Sequence, residues 1–163
     1  MIAINNAAHR SWSATMRAQQ IGHSRVIHIQ AKILLTEATR IMRQHQIGCL
    51  VVTEAFPAGD LPIGILTHRD VVFRACAVTG EVSALTVGEV MSSPAVCCRT
   101  DHSVDELVAI MLGSGKRRLP MIDDAGHLVG LVCSNDVLGA IGELLTGLAL
   151  ADGAGGSQDR MEI

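Results

Sequence analysis

Gly64-Ile-Leu-Thr-His-Arg-Asp70 and Gly130-Leu-Val-Cys-Ser-Asn-Asp136 are two copies of one pattern, in which a glycine and an aspartate enclose five residues. Two apolar residues follow each glycine, and an apolar run follows each aspartate, so each copy predicts a strand that gives way to a helix. The surrounding sequence repeats as well. A shift of 69 residues places Glu37 on Glu106, Ile41 on Ile110, Met42 on Met111 and Leu50 on Leu119. The chain is therefore predicted to fold as two related units.

Each half predicts the element order strand–helix–strand–turn–strand–helix, which gives an α/β (α+β) fold class. Ser103 and Glu106 have the spacing of a capping box at the start of the first helix of the second half. The first half follows the same order, with a longer connection at residues 54–63 and a helix without an obvious cap. The elements predicted for the second half are a strand at 95–98, a helix after 103, strands at 119–122 and 128–133 around a turn at 123–126, and a helix from Asp136.

A unit of roughly 60 residues is only marginally stable alone, so the two halves are expected to pack face to face as a pseudo-twofold pair with a cleft between them. The boundary is predicted near Val82–Leu85. The predicted organisation is an N-terminal arm at 1–15, a first repeat at 16–83, a second repeat at 84–150 and a flexible C-terminal tail at 151–163.

Composition excludes several classes of function. A net charge of −3 and only 2% aromatic residues argue against a nucleic-acid partner. No apolar run approaches the roughly 20 residues of a membrane span, and no secretory signal is visible, so a cytoplasmic location is expected. The five cysteines form no Cys-x-x-Cys motif and the seven histidines no His-x-x-x-His pair, so neither a disulfide framework nor a metal site is predicted.

The repeated pattern resembles the signature of the CBS (cystathionine-β-synthase) domain, which has a glycine, two apolar residues, Ser or Thr, two variable residues and an aspartate. Residues 87–94 resemble the segment that leads into a CBS repeat, and residues 116–123 resemble its middle strand. The similarity covers about residues 16–150. The resemblance implies a tandem pair, or Bateman module, in which each repeat is a small sheet with helices on one face. It also implies binding of an adenine nucleotide or S-adenosylmethionine without any chemistry on it.

Physical chemistry points to the end of the first pattern as a nucleotide site. The Asp70 carboxylate can accept both hydrogen bonds of a ribose diol, the Thr67 hydroxyl lies close in sequence, and helix-start amides can meet phosphate oxygens. The alternative is that Asp70 only caps its helix. The arginines of the basic run 116–118 suit phosphate, and the alternative there is a solvated turn.

The resemblance joins these features into one site, with the ribose on Asp70 and the phosphate on Arg117 and Arg118 of the other repeat. It also implies further ligand-binding residues. These are Ile65, Leu66 and the backbone of Val96 beside the adenine, Pro120 against it, and His68 and Arg69 within reach of a phosphate.

A second, weaker site is expected around Cys133 and Asp136. Cys133 replaces the expected Ser or Thr, and thiols are weak hydrogen-bond donors. Gly48 and Cys49 stand where the other half has its arginines, so no phosphate partner is visible. One competent site per chain is therefore predicted.

The resulting hypothesis is a regulatory sensor that needs no catalytic cofactor. It forms a homodimer through the apolar helices after Asp70 (Val71, Val72, Ala75) and after Asp136 (Val137, Leu138, Ile141), and it acts on an unidentified partner protein. An enzyme is not predicted, because no nucleophile with its base, P-loop or His-Glu-x-x-His motif occurs. The alternative is a structural or protein-interaction module whose cleft holds no nucleotide.

Overall fold

The structure is a computed structural model that describes residues 16–75, 77 and 84–155. The predicted arm at 1–15 and residues 156–163 of the predicted tail lie outside the described residues. The elements of the first half are α1 (Ala18–Ile21), β1 (His28–Gln30), α2 (Leu35–His45), β2 (Cys49–Phe56), β3 (Gly59–Thr67) and α3 (His68–Asp70), which continues as a π-helical turn (Val71–Ala75). The elements of the second half are α4 (Val87–Val90), β4 (Cys98–Arg99), α5 (Val104–Ser114), β5 (Arg118–Ile122), β6 (Leu128–Cys133) and α6 (Ser134–Gly155).

The two halves contain equivalent three-stranded sheets, ordered β1-β2-β3 and β4-β5-β6. In each sheet the first strand runs parallel to the middle strand, and the middle strand pairs with the last in an antiparallel hairpin. The predicted α/β fold and the order of its elements are thereby confirmed. The longer connection at 54–63 is not a loop, because its residues extend the β2–β3 hairpin around a tight turn between Phe56 and Gly59.

A local signal marks the start of one of the two main helices, α5, and is missing at the other, α2. Ser103 accepts a hydrogen bond from the amide of Glu106, whose carboxylate accepts from the amide of Ser103 (2.7 Å), so the predicted capping box is present. Leu34 stands at the equivalent position before α2 and offers no side-chain cap. The predicted strand at 95–98 is shorter than expected, since only Cys98–Arg99 pairs with β5.

The hydrophobic core consists of two clusters, and each cluster takes one short helix from the other half of the sequence. Ala18 of α1 is fully buried among residues of the second sheet, and Val87 and Val90 of α4 are buried against the first. The first cluster is formed by Ile29, Leu35, Ala38, Met42, Leu50, Val52, Leu66, Val87 and Val90. The second is formed by Ala18, Cys98, Val104, Leu107, Leu119, Met121, Val132, Val137 and Ala140.

The segment after each exchanged helix adds a short bridge to the outer strand of the sheet that it joins. The amide of Ile65 in β3 donates to Ser92 O (3.0 Å), and the amide of Ser92 donates back to Ile65 O (2.9 Å). Leu131 in β6 and His23 make the same reciprocal pair, both at 2.9 Å. These exchanged segments tie the two halves together through backbone hydrogen bonds.

The close approach of the exchanged segments accounts for the glycine of the repeated pattern. A Cβ atom on Gly64 would lie 3.0 Å from Ser92 O, and one on Gly130 would lie 2.8 Å from His23 O. Both partners are backbone atoms that cannot rotate away, so a side chain at either position would push the exchanged segment off the sheet.

The last helix departs from the sequence prediction at both ends of its course. Helix α6 continues to Gly155, into the segment where the composition predicts a flexible tail. Val137, which was expected on the exposed dimerisation face, is instead buried in the second cluster, whereas Leu138 is 64% exposed. Among the described residues, no helix combines the length and apolar character that crossing a membrane requires.

Candidate functional site

A cleft of about 390 Å³ lies between the two halves, and both of them line it. The first half contributes the end of β3 with α3, and the second contributes the turn between α5 and β5. The segment between α4 and β4 forms the remaining wall. The lining residues are Gly48, Ile65, Thr67, His68, Arg69, Asp70, Ser92, Pro94, Ala95, Val96, Gly115, Lys116, Arg117 and Arg118.

Asp70 is fixed at the start of α3 by hydrogen bonds from Thr67 and Ser92. Its Oδ2 accepts from the amide of Thr67 (2.9 Å) and from the Thr67 hydroxyl (2.7 Å), and its Oδ1 accepts from the Ser92 hydroxyl (3.2 Å). Asp70 therefore does help to cap the start of α3, together with Thr67. A carboxylate has about four lone-pair sites and can accept several hydrogen bonds at once.

The basic run is placed at the cleft by the turn that ends α5. Gly115 ends the helix in the left-handed conformation (φ 66°), and the amide of Lys116 donates to Ser114 Oγ (3.3 Å). The amide of Ser134 then donates to Arg117 O (2.9 Å), and Arg118 begins β5. Lys116 and Arg117 are exposed, whereas Arg118 is half-buried.

Arg118 lies near two half-buried thiols, Cys133 of the second half and Cys49 of the first. Burial, followed by the negative charge of Asp136, raises the pKa of Cys133 to about 11, and Arg118 opposes this rise through its charge and a hydrogen bond. Burial also raises the pKa of Cys49, again opposed by the charge of Arg118. Both thiols are therefore neutral at physiological pH, even with the guanidinium nearby.

Eight of the ten residues expected at the main site line the cleft, and two do not. Leu66 is fully buried in the first cluster, because side chains alternate along a strand and Ile65 takes the cleft side. Pro120 is fully buried within β5. The prediction that these two side chains flank the base is corrected accordingly.

Sequence reasoning did not single out several residues that line the cleft. Ser92 is the most informative, because it hydrogen-bonds Asp70 and falls within the segment 87–94 that the family resemblance had marked. The repeat could have indicated Ser92, because a shift of 69 residues aligns it with His23. His23 contacts Asp136, which is the equivalent of Asp70 in the second half. Lys116 also lines the cleft, although only the two arginines of its basic run were expected there, and the residues that were not predicted are Gly48, Pro94, Ala95 and Gly115.

The equivalent position in the other half has a similar frame and different chemistry. Asp136 accepts from the amide of Cys133 (2.7 Å), and its Oδ1 lies 3.2 Å from His23 Nε2. Gly48 and Cys49 occupy the places of Arg117 and Arg118, so the backbone frame is repeated there without the two guanidinium groups. Among the described residues, no three His, Cys, Asp or Glu side chains converge to hold a metal ion.

Comparisons with known proteins agree with this architecture. The sequence model of the CBS domain matches residues 18–75 and 87–143. The chain is 37% identical over 97 residues to the uncharacterized protein MK0525 of Methanopyrus kandleri, covering 60% of this chain and 48% of that protein. It is 30% identical over 125 residues to inosine-5'-monophosphate dehydrogenase of Methanocaldococcus jannaschii, covering 77% of this chain and 23% of that enzyme. This chain thus spans about half or less of these two relatives.

Among solved structures, the CBS domain pair of protein MJ0100 superimposes with a TM-score of 0.64 and 25% sequence identity. The match covers 75% of this chain and 96% of that pair, which was crystallised with 5'-methylthioadenosine and S-adenosyl-L-methionine.

Proposed function

We propose that this chain, which belongs to the CBS-domain family, binds one adenine nucleotide or related adenosyl ligand in the cleft and thereby regulates a partner protein. The observation that carries the proposal is that the Asp70 carboxylate and the guanidinium groups of Arg117 and Arg118, which come from opposite halves, line one cleft. The adenosyl ligands of the MJ0100 domain pair support the choice of ligand class.

Each end of such a ligand has a matching group in the cleft. A carboxylate fixed by Thr67 and Ser92 suits the two hydroxyls of a ribose, and arginine forks suit phosphate oxygens. The volume of about 390 Å³ falls within the range of small-molecule sites. Because the two ends are held by different halves, binding favours the relative orientation that lets both contacts form, and the partner responds to that shift.

Calorimetric titration with ATP and AMP tests the proposal. We expect one ligand per chain, since the second position lacks the arginines. Asp70→Asn preserves the shape of the side chain and removes its charge, so affinity should fall about tenfold or more, as expected for a lost hydrogen bond to a charged group. Asp136→Asn is the matched control, because Asp136 holds the equivalent place in the other half and should leave binding unchanged.

Two results would contradict this proposal. Equal affinity of the wild type and Asp70→Asn for the nucleotide would contradict the proposed contact between Asp70 and the ribose. Absence of binding by every adenosyl ligand tested would favour the alternative of an interaction module with an empty cleft.

A homodimer is the second part of the proposal, and α6 supplies the surface. Leu138, Ile141, Leu145 and Leu148 recur at the a and d positions of a heptad, the spacing at which two helices pair along a seam. Leu138 and Leu145 are 64% and 62% exposed, and Ile141 is half-buried. A second copy of the same helix is the partner that this pattern fits.

Sedimentation velocity tests the dimer. Leu145→Glu places a charge in the centre of the seam and should shift the protein toward monomer. Leu112→Glu makes the same substitution at an exposed leucine of α5, which is not one of the heptad positions of α6, and should leave the mass unchanged. Monomeric wild-type protein at micromolar concentration would contradict the dimer.

A further inference from the structure

The charged side chains that line the cleft are almost all cationic. Arg69 comes from the first half, and Lys116, Arg117 and Arg118 come from the second. Asp70 is the single carboxylate among the described lining residues, so four cations and one anion give the cleft a formal charge of +3. The whole chain carries a net charge of −3, so this local excess opposes the overall charge of the protein.

The four cleft cations differ in their ion pairing from two other arginines of the chain. Two exposed arginines outside the cleft do form ion pairs, Arg40 with Glu37 (2.6 Å) and Arg99 with Asp101 (3.4 Å). In the described part of the chain, none of the four cleft cations forms an ion pair with a carboxylate.

We infer that the cleft selects a nucleotide with a di- or triphosphate chain and discriminates against S-adenosylmethionine. The inference deepens the proposed function and rests on it, because it assumes that the adenosine end is held at Asp70. A monophosphate carries about two negative charges, which is fewer than the three that would neutralise the cleft. A di- or triphosphate carries at least about three. S-adenosylmethionine brings a sulfonium and an ammonium group toward the same cations, and a single carboxylate to offset them.

The size of the preference follows from Coulomb's law at the cleft surface. One added negative charge about 4 Å from one cation changes the affinity by about fivefold in a water-like medium, and by more where the dielectric constant is lower. ADP should therefore bind about fivefold more tightly than AMP, and ATP about fivefold more tightly than ADP. S-adenosylmethionine should bind more weakly than AMP. Salt should reduce these differences, because exposed charges are screened over about 10 Å at 0.1 M ionic strength.

The test is calorimetric titration of the full chain with AMP, ADP, ATP and S-adenosylmethionine in magnesium-free buffer. Inorganic tripolyphosphate is added as a competitor against ATP. Arg117→Gln removes one exposed cleft cation and should lower the preference for ATP over AMP about fivefold. Arg43→Gln makes the same change on the exposed surface of α2, outside the cleft, and should leave the preference unchanged.

The outcomes separate this inference from the function on which it rests. A rising affinity from AMP to ATP, competition by tripolyphosphate and loss of the preference in Arg117→Gln support it. Equal affinities for AMP and ATP, or tighter binding of S-adenosylmethionine than of ATP, would overturn the inference and leave the adenosyl site intact. Binding of tripolyphosphate without binding of any adenosyl compound would instead overturn the proposed function and retain the anion site.

Discussion

Replacing Gly64 with alanine should destabilise the protein by forcing the exchanged segment away from β3. The new Cβ would lie 2.6 Å from Met91 Sδ and 3.0 Å from Ser92 O. The methionine side chain can move, but Ser92 O is backbone and accepts the hydrogen bond from the amide of Ile65. Overpacking of this kind costs about 1–3 kcal/mol. A loss of about 2 kcal/mol corresponds to a fall in Tm of roughly 4–8 °C for a chain of this size.

Differential scanning calorimetry measures this effect, with Gly113→Ala as the matched control. Gly113 lies in α5, and no heavy atom stands within 4 Å of where its Cβ would be. Alanine there should stabilise the helix by about 0.5–1 kcal/mol. A Gly64→Ala variant that melts at or above the wild-type temperature would refute the claim that this glycine makes room for the exchanged segment.

Two further predictions concern the core and the thiols. Leu107 is fully buried in α5, so Leu107→Ala should lower the free energy of unfolding, measured with denaturant, by about 2–5 kcal/mol. Leu112 lies on the same helix and is 79% exposed, so Leu112→Ala should change this free energy by under about 0.5 kcal/mol. Equal effects of the two variants would contradict the packing of α5. Because burial raises the pKa of Cys98 to about 12 and that of Cys133 to about 11, both should alkylate slowly at pH 8. Peptide mass spectrometry should show the rate at Cys133 rising about tenfold per pH unit up to pH 11, and a rate that is flat above pH 9 would contradict the raised pKa.

The repeat made much of this fold predictable. Two copies of one element order imply two equivalent sheets, and the Ser103–Glu106 spacing marks a helix start that the structure contains. The family resemblance paired Asp70 with Arg117 and Arg118, and the three residues do line one cleft. That pairing crosses nearly 50 residues of sequence, so the local pattern alone left it open.

The features that were not predicted depend on long-range packing or on strand alternation. Helices α1 and α4 are only four residues long, and nothing in such short segments indicates which sheet they join. Leu66 was placed beside the ligand together with Ile65, although neighbouring residues of a strand face opposite sides. The extra residues at 54–63 are predicted only as a longer connection, whereas they lengthen a hairpin that carries a register shift between Val52 and Thr53.

A crystal structure of the protein grown with ATP would show directly whether Asp70 and the two arginines hold one nucleotide. We expect one nucleotide per chain, with its ribose hydroxyls on the Asp70 carboxylate and its phosphates on Arg117 and Arg118. A nucleotide bound elsewhere, or one in the cleft whose phosphates lie away from both arginines, would contradict it.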